Sequence, residues 1–334
     1  MTWPIVVVAL AFSLQQPQRI HIGEFAFFGT DGIDVQKLQS ALPATGEEIT
    51  TGDQLVDFRE RIDHVVNSAL GHKSTDVATV CCNNRGEEIV YIGLGGRNAV
   101  TIPFAPAPKG RTCLSGDAMR LYKDAMEASA EAIWKGNGGE DDSQGYALSN
   151  NSAARDKELA ARKYALAHQQ RVEQVLQSCA RPEDRQTAAW LLGYGLQSRK
   201  QIALLVRASR DEDETVRNNA VRALGVLARS NSKIASEIPP NSFIEMLNSG
   251  TWTDRNKAGG LLMELSSNRN PKLLQQLKST ALASLIEMAK WDTGHALPSI
   301  LMLGRIAGLE DVRTYKLFSS GRVNEIFAAV GAAP

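Results

Sequence analysis

The clearest pattern of apolar and polar positions lies between residues 211 and 227. Four acidic residues come first, and apolar residues then follow at spacings of four, four and three: Val216, Ala220, Leu224 and Leu227. This spacing places the apolar side chains on one face of an α-helix, and acidic residues stabilise the positive N-terminal end of a helix. The pattern therefore predicts a helix with one buried face.

The same arrangement recurs along the C-terminal half of the chain. Four times, a small residue is followed four positions later by an apolar one. The four small residues lie 32, 38 and 38 positions apart. The matched pairs are Ala188 and Leu192, Ala220 and Leu224, Ala258 and Leu262, and Ala296 and Ile300. A helix pair buries its inner face only against stacked neighbours, so this self-similarity predicts a stack of helix pairs.

The remaining helices of the stack follow from the intervening segments. A long amphipathic helix over 153–178 opens the array, and a short pair at its end closes it. The predicted first helices are 198–208, 241–247 and 271–290, and the closing pair is 310–319 and 322–330. Everything from residue 153 onward is therefore predicted to be helical.

The second helix at 211–227 resembles that of a HEAT repeat, in the Asp followed by Val216 and Arg217 and in the small Ala220 one turn later. The resemblance implies an α-solenoid, a fold used mostly for holding other molecules. It also implies a structural role for the residue three positions before each small residue, which is Arg185, Arg217, Arg255 or Thr293. In that role an arginine meets an acid of its own or a neighbouring repeat, such as Asp184, Asp213 or Asp254.

A second interpretation makes the same positions a binding groove. Polar side chains and aromatic rings on successive second helices would line one surface. Trp and Arg residues contribute much of the binding energy at interfaces. The candidate partner-binding residues are Arg217, Asn218, Asn219, Trp252, Arg255, Asn256, Lys257, Trp291 and His295. This interpretation predicts that Trp252→Ala or Arg255→Ala abolishes partner capture without changing helical content or melting. Loss of folding would support the structural role instead.

The N-terminal region has mixed signals. Strands are predicted over 20–29, 76–82 and 88–94 and helices over 31–42 and 52–70, with the hairpin turn Asn83-Asn84-Arg85-Gly86 between the last two strands. The order β-α-α-β-β, with glycines after the first strand and the second helix, resembles a POTRA (polypeptide-transport-associated) domain. That resemblance implies a sheet edge and helix groove that accept an added strand from another chain.

These patterns predict a mainly α fold, a HEAT-like α-solenoid preceded by a small α+β domain. The predicted divisions are a signal peptide over 1–14, the POTRA-like domain over 18–101, a linker with one helix over 102–152 and the solenoid over 153–334. The apolar run at 5–14, with small residues at Ala11 and Ser13, is typical of a secretory signal and predicts a periplasmic or extracellular protein. The alternative is a buried first strand in a cytoplasmic protein. No later stretch is long and apolar enough to span a membrane.

Composition and charge narrow the partner class. The chain is 43% hydrophobic and 22% charged, which is ordinary for a folded protein. Its net charge is zero, although residues 1–150 hold 12 Lys and Arg against 19 Asp and Glu, and residues 151–334 hold 25 against 18. This excess of positive charge is small for a long array, so no nucleic-acid partner is expected.

No catalytic residue, cofactor or metal is predicted. The five histidines are scattered, and no helix follows the glycines at 93–96 as a phosphate loop requires. The acidic stretch 137–145 is either a solvated linker or an ordered loop presenting carboxylates to a calcium ion. Cys81, Cys82, Cys113 and Cys179 match no metal motif. Either Cys81 or Cys82 pairs with Cys113 in an oxidising compartment, or the cysteines are small buried apolar residues.

The sequence therefore favours a non-enzymatic interaction or scaffold protein that binds a peptide or protein on the solenoid groove. One alternative is a periplasmic assembly or chaperone-like factor, associated with the cell envelope, that acts through the POTRA-like sheet edge. Another is an enzyme resembling the bilin lyases, tetrapyrrole-handling relatives among short HEAT-like repeats. The partner's identity is not encoded in any motif of the chain.

Overall fold

The computed structural model describes residues 20–291 and 293–331. These residues form two compact units: Pro103–Asn241 is the first, and the second combines residues 20–102 with residues 242–331. The predicted signal peptide at 1–14 lies outside the described residues. The units divide the chain differently from the sequence boundaries, because the N-terminal α+β region and the last helices share one unit.

Residues 20–93 form a four-stranded sheet and two helices. The elements are β1 (Ile20–Phe28), α1 (Val35–Gln39), β2 (Glu48–Ile49), α2 (Gly52–Leu70), β3 (Asp76–Val80) and β4 (Glu88–Gly93). The sheet order is β2-β1-β4-β3, with β1 parallel and β3 antiparallel to β4. The predicted β-α-α-β-β order is present, with the two-residue β2 as an addition. Strand β3 forms one edge of the sheet, and the addition of a partner strand there stays a prediction.

Helix α2 covers one face of this sheet. It begins with a capping box between Thr51 and Gln54 and ends at Gly71, whose φ of 77° is left-handed. Its buried face includes Phe58 and Ile62, which belong to the same apolar core as the strand residues. The apolar periodicity of the sequence therefore predicted this layer correctly.

The first unit contains the next group of elements. They are α3 (Gly116–Trp134), β5 (Glu140–Asp141), β6 (Leu148–Ser149), α4 (Ser152–Ala167), α5 (Gln169–Ser178), α6 (Pro182–Leu192), α7 (Arg199–Ala208), α8 (Glu214–Ser230) and α9 (Ser232–Glu237). The single helix predicted over 153–178 is wrong: it is two helices, because the backbone of His168 leaves the helical range at φ −123° and ψ 24°. Neither Pro nor Gly marks this break in the sequence.

The second unit is completed by helices that follow α9. They are α10 (Asn241–Met246), α11 (Trp252–Leu265), α12 (Pro271–Met288), the short 3₁₀ turn Thr293–His295, α13 (Leu297–Ile306), α14 (Asp311–Ser319) and α15 (Val323–Ala329). Helices α12 and α11 both pack against α13, as stacked helix pairs require. In this last repeat Ala296 precedes the helix, whereas its counterparts at 188, 220 and 258 lie inside theirs. All four alanines are fully buried.

Helix α8 is the predicted helix at 211–227, and it is more enclosed than its sequence indicates. Asp213 caps its start by accepting a hydrogen bond from the Val216 N–H at 2.9 Å. Between Val216 and Ala228 every residue except Arg222 is buried. An amphipathic helix with one buried face was predicted, so other parts of the chain must cover its polar side.

The predicted linker at 102–152 is part of that cover. Helix α3 packs against α4 and α6 within the first unit. The acidic residues of the β5–β6 hairpin face basic side chains of α8: Glu140 pairs with Arg222, and Asp142 pairs with Arg229. The acidic stretch 137–145 therefore includes an ordered hairpin, in which two of the three carboxylates are paired with arginines of α8. Among the described residues, no helix combines the length and apolar character needed to cross a bilayer.

Candidate interaction surface on the repeats

Arg185 of α6 binds the turn that precedes its own helix. Its Nη1 donates to the carbonyls of Cys179 and Ala180, both at 3.0 Å. Its Nε and Nη2 donate to the two carboxylate oxygens of Asp211, both at 2.8 Å. The side chain is 0% exposed, and a buried charge of this kind requires full pairing. Asp211 lies in the corresponding turn of the next repeat, so this ion pair joins two repeats.

Arg217 of α8 repeats the contact with its own turn. Its Nη1 donates to the carbonyls of Asp211 at 3.0 Å and Glu212 at 2.9 Å. Its guanidinium also lies over the ring of Phe104, 3.7 Å from the ring centroid. A guanidinium so close to an aromatic face is stabilised by cation–π attraction. Phe104 belongs to the segment that was predicted to be a linker.

Arg255 of α11 makes the equivalent contact in the second unit. It donates from Nε to the carbonyl of Ser249 at 2.6 Å, from Nη1 to Glu287 at 2.7 Å and from Nη2 to the carbonyl of Asn98 at 3.0 Å. The side chain is 0% exposed. All of its charge is therefore directed at partners within the chain.

The ion pairs implied by the HEAT resemblance are present at Arg185 and Arg255. Their partners are Asp211 and Glu287, which differ from the acids named from the sequence, Asp184, Asp213 and Asp254. Each of these partners lies in the neighbouring repeat. Glu287, on the first helix of that repeat, has no counterpart in the repeating pattern and was not predicted.

The two asparagines beside Arg217 are buried, and Asn219 lies against α3 and α6. Asn219 donates from Nδ2 to the carbonyl of Gln186 at 3.0 Å and to the Tyr122 hydroxyl at 3.2 Å. Asn218 is also buried, and its Oδ1 has no hydrogen-bond partner among the described residues. Both side chains were predicted to line an open groove, and the structure places them beneath the chain's own segments. A role in partner binding stays a prediction for both.

Trp252, Trp291 and His295 come together in the second unit. They surround Tyr91 of β4: its ring centroid lies 5.0 Å from that of Trp252, 4.9 Å from that of Trp291 and 6.1 Å from that of His295. All four side chains are buried. The aromatic cluster therefore packs against the sheet of the same chain. Asn256, which contacts the His295 ring at 3.3 Å, is half-buried. Lys257, the remaining candidate, is half-buried as well.

Protonation of His295 gives the aromatic cluster a pH dependence. Burial lowers the pKa of His295 to about 4, with a further contribution from the charge of Lys257. The unfolded chain, with a pKa near 6.5, binds this proton first, so stability is complete above pH 6.5 and falls as the pH drops toward 4. At about 1.4 kcal/mol for each pKa unit, we expect a loss approaching roughly 3 kcal/mol. Denaturant unfolding between pH 7 and pH 4 measures it.

The matched variants for this prediction are His295→Gln and His64→Gln, because His64 is exposed. His295→Gln is expected to remove the pH-dependent loss, and His64→Gln is expected to retain it. Burial also raises the pKa of Glu88 to about 7. The folded protein therefore keeps this proton to a higher pH than the unfolded chain does, so the contribution of Glu88 to stability falls as the pH rises. Comparison of wild type with His295→Gln cancels that opposite effect. Parallel pH profiles for the two proteins would contradict the assignment.

The turns held by the three arginines share a second contact, which the sequence did not indicate. Each turn offers a backbone carbonyl to an N–H of the extended segment that follows the sheet. The Gly110 N–H donates to Ser178 at 2.8 Å and the Ala105 N–H donates to Arg210 at 2.6 Å, both in the first unit. In the second unit the Val100 N–H donates to Asn248 at 2.7 Å. The same parallel bridge is therefore made three times, and successive donors lie five positions apart in the sequence.

We call residues 103–114, the part of this segment in the first unit, the strap. Gly110 is required where it lies, because a Cβ there would be 2.3 Å from the Ser178 carbonyl oxygen. Leu114 is buried, and its N–H donates to Asp184 at 2.7 Å. Because the bonds along the strap come from its backbone, no side-chain periodicity revealed them. Gly110 was the one available signal.

The cysteines pair differently from the prediction. Cys81 and Cys82 form a disulfide with each other. Both follow the last residue of β3, so the alternation of a strand does not separate their side chains. The predicted bond from either one to Cys113 is wrong. Cys113 lies in the strap with its sulfur 3.5 Å from that of Cys179, and both are free thiols.

One family model agrees with the repeat architecture. A family model described as HEAT repeats matches residues 170–262. No curated protein matches the sequence. The crystal structure of an engineered protein is 16% identical, covers 65% of this chain and 95% of its own, and has a TM-score of 0.39. A designed armadillo repeat protein in complex with the peptide (KR)4 is 14% identical, covers 57% of this chain and 96% of its own, and has a TM-score of 0.37.

The residue pattern, the helix pairs and the family match point to the same class. Second helices carry a buried alanine and a clamping arginine at fixed positions, and the matched range includes α6, α8 and most of α11. Such repeats are typical of interaction scaffolds. Residues 170–262 match the model of HEAT repeats, and the fold is mainly α, an α-solenoid with a small N-terminal α+β region.

Proposed function

We propose that this protein is a non-enzymatic interaction scaffold whose repeats bind extended polypeptide. In the structure the strap occupies the turns that would bind such a polypeptide. A partner protein replaces the strap there with a segment of the same chemistry. The single observation behind the proposal is the backbone hydrogen bond that three successive repeats make to an extended segment.

The repeated turn suits this role because its carbonyl groups are held in position. In the first unit Arg185 and Arg217 fix the two turns whose neighbouring carbonyls, those of Ser178 and Arg210, accept the strap N–H groups. A preorganised acceptor binds a backbone donor with little ordering cost. Backbone bonds of this type give affinity without demanding a particular side chain. The turns therefore offer a general site for extended chain.

The strap also defines the side chains that a partner segment needs. An aromatic residue stacks on the Arg217 guanidinium, as Phe104 does. A glycine is needed six positions later, since a Cβ at Gly110 meets a backbone oxygen. Pro103, Pro106 and Pro108 keep the segment extended. The expected partner is thus a proline-containing extended segment with one aromatic residue and one glycine.

A peptide-binding measurement tests the proposal. In one variant, residues 103–112 are replaced by Gly and Ser residues of equal number, which removes the prolines that keep the strap extended and the Phe104 ring that stacks on Arg217, so that the strap competes for the two turns more weakly. A fluorescent peptide with the sequence of residues 103–112 is expected to bind this variant and to raise its anisotropy. Wild type is expected to bind the peptide at least tenfold more weakly, because its own strap competes at an effective concentration of about millimolar.

Two control peptides test the chemistry. Phe104→Ala is expected to weaken binding by roughly 2- to 30-fold through loss of cation–π attraction. Gly110→Val is expected to abolish it by a steric clash. If the variant with the Gly and Ser segment unfolds, the full-length Gly110→Val protein is used in the same measurement, since its strap is displaced at one point only. A folded variant that binds none of these peptides would show that the strap is purely structural.

A further inference from the structure

We infer that Cys113 and Cys179 are a redox pair, and that oxidation to a disulfide fastens the strap to the first repeat. The inference depends on the geometry of the strap and is independent of the proposed partner. The two sulfur atoms lie 3.5 Å apart, and neither is bonded to another residue's sulfur. A disulfide bond is about 2.05 Å long, so bonding requires an approach that side-chain rotation supplies.

Backbone contacts on both sides of Cys113 hold its sulfur in this position. Before it, the Gly110 N–H donates to the Ser178 carbonyl at 2.8 Å, and the Gly110 carbonyl accepts from the Ala180 N–H at 2.9 Å. After it, the Leu114 N–H donates to the Asp184 carboxylate at 2.7 Å. The Cys113 carbonyl accepts from Arg171 Nε at 3.1 Å and Nη2 at 2.8 Å.

The position of Cys179 is equally fixed. It directly follows α5, and its N–H donates to the Val175 carbonyl at 2.9 Å. Because the two backbones are held by contacts that do not involve the thiols, the sulfur atoms stay adjacent in the reduced protein. Effective concentrations for such oriented groups are high, which favours an intramolecular disulfide over a mixed one.

The two thiols differ in access, and this difference sets the order of reaction. Cys113 is half-exposed and Cys179 is buried. Burial also raises the pKa of the Cys179 thiol, which leaves Cys113 as the first nucleophile. The Cys113 thiolate attacks a small disulfide such as oxidised glutathione, forming a mixed disulfide and releasing one thiolate. The released thiolate or solvent takes the Cys179 proton, and the Cys179 sulfur then attacks the Cys113 sulfur and releases the second thiolate. This thiolate takes up from solvent the proton that Cys113 lost.

The net reaction is balanced. Two protein thiols lose two protons and two electrons and become one disulfide, and the small disulfide is reduced to two thiols. A metal ion is the competing occupant of this position, since the ligand atoms of Cys113, Cys179 and Asp184 lie within 4.8 Å of one another. Asp184 is already engaged by the Leu114 N–H and by Arg181, whose guanidinium lies 2.6 Å away. The adjacent positive charge disfavours a cation, so the geometry points to the disulfide.

Mass spectrometry of the full chain tests the bond. The protein is equilibrated in glutathione buffers of increasing oxidised fraction, alkylated and digested with trypsin. We expect a linked pair of peptides covering residues 112–120 and 172–185. Cys113→Ser and Cys179→Ser are each expected to abolish it. A persistent glutathione adduct on Cys113 at every ratio, with no linked pair, would overturn the inference. So would protection of both thiols from alkylation by Zn²⁺ together with failure to form the bond without metal.

Limited trypsin digestion tests the fastening itself. Lys109 and Arg111 are exposed in the strap and are the sites to follow. Oxidation is expected to slow cleavage there at least tenfold in wild type and to leave the Cys113→Ser rate unchanged. Since Cys81 and Cys82 remain in both proteins, their disulfide cannot account for the difference. An equal rate in oxidised and reduced wild type, with the bond present, would show that the disulfide does not restrain the strap.

Discussion

Replacing Trp252 with alanine is expected to lower the free energy of unfolding of the second unit by about 3–5 kcal/mol. The indole is 1% exposed. It packs against the rings of Tyr91 at 5.0 Å and His295 at 5.3 Å. Truncation leaves a cavity between the sheet and the helices that the surrounding side chains fill only in part. The hydrogen bond from the Trp252 backbone N–H to Asp76, at 2.8 Å, is retained in the variant.

Urea unfolding followed by circular dichroism measures this effect. The matched control is Trp134→Ala, because that indole is 49% exposed and its removal is expected to change stability by less than about 0.5 kcal/mol. The sequence alone led to another expectation, loss of partner capture with unchanged melting. If Trp252→Ala melts like wild type and loses a partner, the aromatic cluster opens in solution and the groove prediction is correct.

The repeating helices were predictable because their determinants are local. The capping Asp213 and the apolar spacing of α8 lie within one stretch of chain. The alanines at 188, 220 and 258 recur at one position of the apolar pattern, and all three are buried. Short-range periodicity and capping were therefore sufficient to predict the solenoid. The α+β order at 20–93 followed from the same kind of signal.

The roles of the candidate residues were not predictable, because they depend on distant parts of the chain. Trp252, Arg255 and Trp291 have the composition of a binding hot spot, and a hot spot and an internal interface use the same chemistry. Only the position of Tyr91 on β4 shows that the chain's own sheet covers the tryptophans. Similarly, the strap is bound through backbone groups, and any sequence that stays extended would satisfy most of them.

The covered second helices suggest why the repeats departed from simple amphipathic patterns. Helix α8 keeps polar residues such as Asn219 and Arg222 on the side opposite its apolar stripe, and these meet Tyr122 and Glu140. Buried polar groups of this kind need matched partners. The N-terminal half of the chain supplies those partners within each unit. The repeats therefore act first as a scaffold for the protein's own segments.

Replacing Glu287 with alanine is expected to have the second large effect. It should lower the free energy of unfolding of the second unit by about 3–5 kcal/mol. Its carboxylate accepts from the N–H groups of Gly29 at 2.8 Å and Thr30 at 2.7 Å, from the Asn98 amide at 3.1 Å, and from Arg255 at 2.7 Å. Removing it leaves a buried guanidinium without its counter-ion and two N–H groups without an acceptor. Each unsatisfied buried donor costs about 1–3 kcal/mol.

Denaturant unfolding of a small set of variants separates charge from hydrogen bonding. Glu287→Gln keeps one acceptor oxygen and is expected to lose less than Glu287→Ala. The double variant Arg255→Met, Glu287→Gln is expected to recover part of the loss, because no buried charge remains. Glu325→Ala is the surface control: its pairing with Arg322 is exposed, and the loss should stay below about 1 kcal/mol. Equal effects at positions 287 and 325 would mean that the Glu287 carboxylate is hydrated in solution, and that the sheet and the last helices are not held together through it.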